Sequence, residues 1–289
     1  MRFLAPPPLR QGDRVAVVAP AGPFDRESFD KGLAVLASRY TPVFDDTLFE
    51  SHRYLAGADA SRGSQLQRAL DDHSIRGIFA ARGGYGSMRL LPLNFTTPKI
   101  IAGFSDITAL HLAAQKHGWQ SLHAPVLTQL GKQPPEVVER FFATLEGRAV
   151  APLVGTRTVT KGFARGPLIG GNLSVLTRLI GTPFLPSLNG AVLLIEDVGE
   201  RPYRLDRMWQ HLKLSGQLHG IAGIVFGEFT GSEEKDVSYT SGEVLDELAA
   251  ELGVPCAAGF DIGHGVVNQP VMLGADVQLD ATAKKLEFV

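Results

Sequence analysis

The 289-residue sequence contains a single cysteine, Cys256. One cysteine excludes an intramolecular disulfide and any zinc site built from several cysteines. No apolar run approaches the roughly 18 residues that a membrane-spanning helix needs, and the N-terminus lacks the apolar stretch of a secretory signal. These absences predict a cytoplasmic protein that does not bind membranes.

The sequence also lacks an excess of positive charge. It has 28 Lys and Arg against 30 Asp and Glu, which gives a formal net charge of −2. This balance excludes the basic surface of a general nucleic-acid binder and gives no electrostatic attraction to an anionic membrane. With 44% hydrophobic residues, the composition is typical of a folded, loop-rich α/β enzyme.

Short apolar runs alternate with longer amphipathic stretches along the chain. Helices are predicted near residues 26–38, around Leu66 and Leu70, and at 106–117 and 203–215. Strands are predicted at 15–18, 77–81, 100–102, 190–195 and 221–226, and a terminal hairpin at 277–280 and 285–289. Alternation of this kind indicates βαβ units and a parallel sheet.

At about 150 residues per domain, the length predicts two modest domains or one large one. Residues 147–165 are polar and rich in β-branched side chains, and they lack helical periodicity. We therefore predict an N-terminal domain over residues 1–150, a linker over 151–165 and a C-terminal domain over 166–289.

A first candidate for chemistry lies where a predicted strand ends and a helix begins. Gly103, Phe104, Ser105 and Asp106 occupy this turn. The order strand, glycine, serine, helix is typical of a nucleophile elbow, in which a sharp turn exposes the serine hydroxyl beside a helix N-terminus. Ser105 and Asp106 are also good helix caps, so this segment alone leaves a capping role open.

A second candidate is the glycine-rich turn after the strand at 77–81, which reads Arg82-Gly83-Gly84-Tyr85-Gly86. Such a turn exposes backbone N–H groups to an anion, so it predicts an oxyanion hole, a phosphate-binding loop or only a tight turn. Arg89 stands where a dinucleotide-binding motif would have its third glycine. A nucleotide-binding enzyme remains an alternative interpretation.

Acidic residues and one histidine form two further candidates. Glu196, Asp197 and Glu200 follow an apolar run, and His264 lies between two glycines. The acids could bind a metal or another cation, lie in a solvated loop or form ion pairs with the next helix, and His264 could be catalytic or structural. Cys256 lies in an apolar segment and is interpreted as a small core residue.

Taken together, six segments in this order resemble the LD-carboxypeptidase family, serine peptidases that include the microcin C immunity proteins. The segments begin at Gly12, Arg82, Gly103, Gly170, Ile195 and Gly263. The resemblance implies a flavodoxin-like N-terminal domain with a mostly parallel sheet. It also implies a smaller C-terminal α/β domain of the swivelling β/β/α type.

The resemblance further implies a Ser–His–Glu triad of Ser105, His264 and Glu196. The oxyanion hole would consist of the backbone N–H groups of Gly84 and Asp106. The sequence has Phe104 where the family more often has Tyr. No metal and no cofactor is implied, and we expect a homodimer.

The reaction implied by the family is removal of the terminal D-alanine from cytoplasmic murein tetrapeptides. Arg82 is then a candidate partner for the substrate carboxylate, and Glu200 for a cationic side chain. A microcin immunity-type hydrolase of aminoacyl- or peptidyl-nucleotides is an alternative. Its loop tryptophan has no counterpart at residues 131–170, although Phe163 could substitute. A non-catalytic α/β ligand-binding protein is the second alternative.

Overall fold

The computed structural model describes residues 3–234 and 237–289, so residues 1 and 2 of the predicted first domain lie outside the described residues. The chain forms two compact units. One contains residues 3–150 and 269–272, and the other contains residues 151–268 and 273–289. Within the described ranges, no helix is both long and apolar enough to cross a membrane.

The first unit alternates strands and helices. Its elements in chain order are β1 (Arg14–Val18), α1 (Arg26–Ala37), β2 (Thr41–Val43), α2 (Asp59–Asp71), β3 (Gly77–Ala80), β4 (Ile100–Gly103), α3 (Thr108–Lys116), β5 (Ser121–His123), α4 (Leu127–Leu130) and α5 (Pro135–Leu145). Short 3₁₀ turns lie at Asp46–Phe49, Ser87–Leu90 and Ser105–Ile107. Helix α1 begins where Asp25 accepts a hydrogen bond from the Ser28 N–H at 2.7 Å, an N-cap interaction.

The strands of this unit form a six-stranded sheet in the order 2-1-3-4-5, with the strand Val271–Leu273 from near the C-terminus beyond β5. The pairs among β1 to β5 are all parallel. This is the flavodoxin-like strand order, in which ligands bind beyond the carboxyl ends of the strands. The loops after β1, β3 and β4 all begin at that edge.

Both faces of this sheet are buried. Val15, Val17 and Phe79 belong to one apolar cluster, while Ala16 and Val18 belong to another. Successive residues of a strand point to opposite faces, so strands covered on both sides are continuously apolar. This pattern explains why short apolar runs were enough to predict β1, β3 and β4.

The remaining elements lie after residue 150, and all of them except the strand Val271–Leu273, which belongs mostly to the first unit, lie in the second unit. They are β6 (Leu153–Val154), β7 (Arg157–Thr160), β8 (Phe163–Asn172), α6 (Leu173–Arg178), β9 (Val192–Val198), α7 (Pro202–Leu214), β10 (Gly223–Thr230), α8 (Ser241–Ala250), β11 (Cys256–Ala258), β12 (Val271–Leu273), β13 (Asp276–Asp280) and β14 (Lys285–Phe288). Of these, β12 is the strand that extends the first sheet.

Eight strands form the sheet of the second unit, in the order 6-14-13-8-9-10-11-7. The central strands β8 to β11 are parallel, and the flanking pairs are antiparallel. Only residues 155 and 156 separate β6 from β7, the two edge strands. Two residues span only about 10 Å from the end of one strand to the start of the next, so the sheet must curl until its edges approach each other.

The segment predicted as a linker, residues 151–165, is not a free connection. It contains β6, β7 and the first residues of β8. Its alternating Thr and Val side chains fit a pleated edge strand, and the long-range pairing of β7 with β11 was not visible in the local pattern. The predicted α/β fold with a mostly parallel N-terminal sheet and a second α/β domain is confirmed.

Candidate functional site

Ser105 has an unusual backbone conformation. Strand β4 ends at Gly103, and Ser105 follows Phe104 with φ of +64°. A non-glycine residue in this left-handed region is uncommon, and such strain is concentrated at functional turns. The 3₁₀ turn Ser105–Ile107 then leads into α3. This is the geometry of a nucleophile elbow.

The glycine-rich turn after β3 lies against Ser105. A Cβ atom added to Gly83 would lie 2.9 Å from the Ser105 Cβ and 3.0 Å from its Oγ. The Gly22 N–H donates to the Gly83 carbonyl at 3.0 Å, so the loop after β1 supports the same turn. Only glycine at position 83 permits this approach.

Two backbone N–H groups of this region, those of Gly84 and Asp106, are the predicted oxyanion donors. Within the described part of the chain, neither the Gly84 N–H nor the Asp106 N–H donates to another protein group. An unpaired N–H near the start of a helix is suited to hold a developing oxyanion. The pair therefore has the chemistry of an oxyanion hole.

The side chains of Ser105 and Asp106 do not cap the following helix. The cap position before the 3₁₀ turn is Phe104, and no side chain caps it. Asp106 is buried, and its Oδ2 accepts a hydrogen bond from the Ser87 N–H at 2.7 Å. Burial raises the pKa of Asp106 above its usual value, and the Ser87 hydrogen bonds oppose that rise. The capping interpretation is thus not the one observed.

Arg82 is exposed and follows β3. Its guanidinium Nη1 donates to the Pro23 carbonyl. Arg82 lines a cavity of about 620 Å³ together with Asp25, Lys132 and other residues of the first unit. A guanidinium at such a position can bind a carboxylate.

In the second unit, Glu196 and His264 are in contact. Glu196 lies within β9, which extends to Val198, rather than after the strand as the apolar run suggested. Its side chain is fully buried, and its Oε2 lies 2.6 Å from His264 Nδ1. Since the carboxylate accepts, His264 Nδ1 carries the proton of this hydrogen bond, and the imidazole orientation is fixed.

The backbone next to His264 is shaped for this contact. Gly263 has φ of +116°, and a Cβ there would lie 2.4 Å from Glu196 Oε2. The Gly263 N–H donates to Asn268 Oδ1 at 2.9 Å, and Asn268 is buried. A glycine is therefore required before the histidine.

Burial raises the pKa of Glu196 above its usual value, and the hydrogen bond with His264 lowers it. A buried carboxylate costs free energy unless it is paired, so the imidazole is the partner that stabilises it. This pair has the chemistry of a general base and the acid that orients it.

The two neighbouring acids have different partners. Asp197 is buried and accepts from Asn172 Nδ2, the Ser174 N–H and the Val198 N–H at 2.8 to 2.9 Å. These bonds join β9 to the start of α6. Glu200 accepts from Ser174 Oγ at 3.2 Å and lies 3.5 Å from Arg204.

Several contributors to these sites were not found from the sequence. His111 is fully buried in α3, and its Nε2 donates to the Gly103 carbonyl at 2.9 Å. Asn268 accepts from the Gly263 N–H, and Arg62 donates to the Pro20 and Gly86 carbonyls. The local sequence pattern does not distinguish either residue from a polar residue on the surface. Cys256 is buried in β11, and burial raises the pKa of its thiol, which agrees with a core role.

The described side chains of residues 3–234 and 237–289 include no group of three or more His, Cys, Asp or Glu arranged to hold a metal ion.

The chain is similar to known proteins over most of its length. A family model described as the LD-carboxypeptidase N-terminal domain matches residues 15–124, and the C-terminal domain model matches residues 165–279. A Synechocystis protein named as an inferred carboxypeptidase is 41% identical, over 99% of this chain and 98% of that protein. The murein tetrapeptide carboxypeptidase of Pseudomonas aeruginosa is 32% identical, over 92% of this chain and 93% of that protein.

Solved structures show the same fold. A muramoyltetrapeptide carboxypeptidase from Oxalobacter formigenes superposes with a TM-score of 0.84 at 29% identity, covering 94% of this chain and 97% of that one. The microcin self-immunity protein MccF superposes with a TM-score of 0.90 at 23% identity, covering 99% and 98% of the two chains. The second match concerns the fold alone.

The fold and these matches define a hydrolase of the peptidase class, with carboxypeptidases among its relatives. The chain belongs to the LD-carboxypeptidase family.

Proposed function

We propose that this protein is a serine-type LD-carboxypeptidase in which Ser105, His264 and Glu196 act as a catalytic triad. The observation that carries the proposal is the 2.6 Å contact between His264 Nδ1 and the buried Glu196. This contact supports proton transfer at the other ring nitrogen, Nε2, as a triad requires. The strained turn at Ser105 supplies the matching nucleophile.

In this mechanism His264 Nε2 takes the Ser105 hydroxyl proton while Oγ attacks the scissile carbonyl carbon. The Gly84 and Asp106 N–H groups hold the resulting oxyanion. His264 then protonates the leaving amine, the C–N bond breaks and an acyl-enzyme forms. A water molecule, deprotonated by His264, hydrolyses that ester and restores Ser105. Glu196 holds the imidazole tautomer and stabilises the imidazolium.

The proposed substrate is a murein tetrapeptide that loses its terminal D-alanine. The names of the relatives from Pseudomonas aeruginosa and Oxalobacter formigenes support this choice. The free carboxylate of that alanine would pair with Arg82. A cationic side chain on the preceding residue would pair with Glu200, which Ser174 and Arg204 already orient.

The experiment is incubation of the purified protein with tetrapeptide, tripeptide and aminoacyl-nucleotide substrates, with the products identified by mass spectrometry. We expect tripeptide and free D-alanine from the tetrapeptide, and labelling of Ser105 by a fluorophosphonate. Absence of both hydrolysis and labelling would favour the non-catalytic ligand-binding alternative.

Cleavage of the aminoacyl-nucleotide alone would instead favour the immunity-type alternative, for which MccF, solved with aspartyl sulfamoyl adenosine, is the structural neighbour. Neither tryptophan supports base stacking, because Trp119 and Trp209 are both buried. Phe163 is exposed, so Phe163→Ala is the variant that tests a residual stacking role.

We also propose that the protein acts in the cytoplasm as a homodimer, with residues 1–150 and 166–289 as its functional domains. The location is the one that the family resemblance implies. Light scattering at several protein concentrations measures the oligomeric state, and a constant monomer mass would exclude the dimer.

A further inference from the structure

Asp106, whose N–H belongs to the proposed oxyanion hole, also has a side chain that binds the neighbouring glycine-rich turn. The carboxylate is buried, and Oδ2 accepts from the Ser87 N–H at 2.7 Å. Ser87 lies three residues after Gly84, which bears the second proposed donor. Asp106 therefore bears one proposed oxyanion donor, and its side chain is hydrogen-bonded to the loop that bears the other donor, the Gly84 N–H.

Arg62 binds the same loop from the opposite side. Its side chain lies in α2 and is fully buried. Nη1 donates to the carbonyls of Pro20 and Gly86, the latter at 3.2 Å, and Nη2 donates to Asp59. A single guanidinium thus connects the loops after β1 and β3, which its fixed, planar set of donors suits.

The loop backbone is adapted to this guanidinium. A Cβ added to Gly86 would lie 2.8 Å from Arg62 Nη1, so a larger residue would displace it. Attraction to Arg62 also lowers the pKa of Asp106 against the effect of burial. The side chains of Arg62 and Asp106 therefore hydrogen-bond to two adjacent residues of this loop, Gly86 and Ser87, in a buried region where an unpaired polar group would be costly.

We infer that Asp106 and Arg62 are positioning residues that hold the Gly84 N–H at the distance from Ser105 at which it stabilises the transition state. This inference rests on the proposed function. Displacing a donor by about 1 Å can cost on the order of 10²-fold in rate. The substrate is bound by other groups, so ground-state binding is expected to be unaffected.

The main variant is Asp106→Ala, which removes the acceptor of the Ser87 N–H. We expect kcat to fall about 10²-fold with KM changed less than about twofold. The affinity for a peptide boronate, whose tetrahedral adduct mimics the transition state, is expected to fall by the same factor as kcat/KM. The affinity for the tripeptide product is expected to stay at the wild-type value.

Asp106→Asn retains an acceptor oxygen and is expected to recover at least a tenth of wild-type kcat. Arg62→Lys keeps the charge but loses the planar set of donors, and we expect about a tenfold loss of kcat. The affinity for the boronate should fall by the same factor as kcat/KM, and the affinity for the tripeptide product should stay unchanged. Arg62→Lys decides the question if Asp106→Ala does not fold.

Lys99→Met is the matched control. Lys99 is also buried, and its Nζ donates to the Ala69 and Asp72 carbonyls at the end of α2. This variant is expected to lower the unfolding temperature and leave kcat unchanged. An equal loss of kcat in Lys99→Met would overturn the inference, as would wild-type kcat in Asp106→Ala, or boronate and product affinities that fall together.

The proposed function is tested separately with Ser105→Ala. If that variant keeps wild-type turnover, the serine mechanism itself is wrong. If it is inactive while Asp106→Ala and Arg62→Lys are fully active, only the positioning role is wrong.

Discussion

The two candidate sites fix their reactive groups by different means. Ser105 is held by the backbone, through a left-handed φ of +64° and a glycine turn packed against its Cβ and Oγ. His264 is held by a side chain, the fully buried Glu196 at 2.6 Å. A strained backbone turn tolerates few residue types, whereas a buried carboxylate needs a partner for the charge it carries.

This difference indicates how each site can fail. Around Ser105, changes that move the main chain should lower activity. Around Glu196, changes that remove a charge or a hydrogen bond should do so.

The largest effect is expected from Ser105→Ala and His264→Ala. Each should lower kcat on the order of 10⁶-fold, because triad members act as a unit. Ser105 and His264 would then contribute equally to kcat, although one is held by the backbone and the other by a side chain. Release of D-alanine from the tetrapeptide measures the effect, and thermal unfolding checks that both variants fold. Retention of a tenth of wild-type turnover by Ser105→Ala would refute the serine mechanism.

The next effect distinguishes the three acids of the second unit. Glu196→Gln should lower kcat by roughly 10⁴, since an amide favours the wrong imidazole tautomer. Asp197→Asn should mainly lower stability, because Asp197 accepts two backbone N–H groups. Glu200→Gln should mainly raise KM. Steady-state kinetics and melting curves of the three variants form the test, and an inactive Glu200→Gln with active Glu196→Gln would reverse the assignment.

The sequence pattern predicted those elements that are determined by neighbouring residues in the chain. Strands β1, β3 and β4 are continuously apolar, and the turn at Ser105 has a glycine and a helix beside it. The contact of Glu196 with His264 spans 68 residues, so only the family resemblance suggested it. The periodicity of the sequence does not encode contacts between distant parts of the chain. These contacts determine the edge positions of β6, β7 and β12 and the burial of Arg62.

A smaller effect is expected from alanine at Gly263 and Gly83, the glycines that allow close contact with Glu196 and with Ser105. In Gly263→Ala, the new Cβ would lie 2.4 Å from Glu196 Oε2, and in Gly83→Ala it would lie 2.9 Å from the Ser105 Cβ. We expect about 10²-fold loss of kcat in each, from misplacement of about 1 Å. Kinetics of both variants give the comparison.

Gly253→Ala is the control for these glycines. Gly253 has φ of +66°, but a Cβ there meets nothing within 4 Å. It should lower stability through backbone strain, by about 1 kcal/mol, without lowering kcat. Comparable losses of kcat in Gly253→Ala and Gly263→Ala would mean that strain, rather than contact with Glu196, is responsible.

The last prediction concerns stability rather than turnover, and it tests the support beneath the Ser105 turn. His111 is fully buried, donates to the Gly103 carbonyl at 2.9 Å, and burial lowers its pKa from 6.5 to about 4. Between pH 6.5 and 4 the unfolded chain therefore binds a proton that the folded chain does not. The free energy of unfolding should fall as the pH decreases through this window, by at most about 3 kcal/mol, and change no further through this group below pH 4.

His111→Gln separates this contribution from that of the buried carboxylates, whose raised pKa values act in the opposite direction. The glutamine amide can still donate to the Gly103 carbonyl but does not titrate. Denaturant unfolding of both proteins at pH 7, 6, 5 and 4 gives the difference in stability at each pH. That difference should move in favour of His111→Gln as the pH decreases, because only the wild type has the buried His111 imidazole, whose pKa burial lowers. A constant difference would mean that His111 is protonated equally in the folded and unfolded chains, and that the strained backbone turn at Ser105 does not depend on a neutral imidazole.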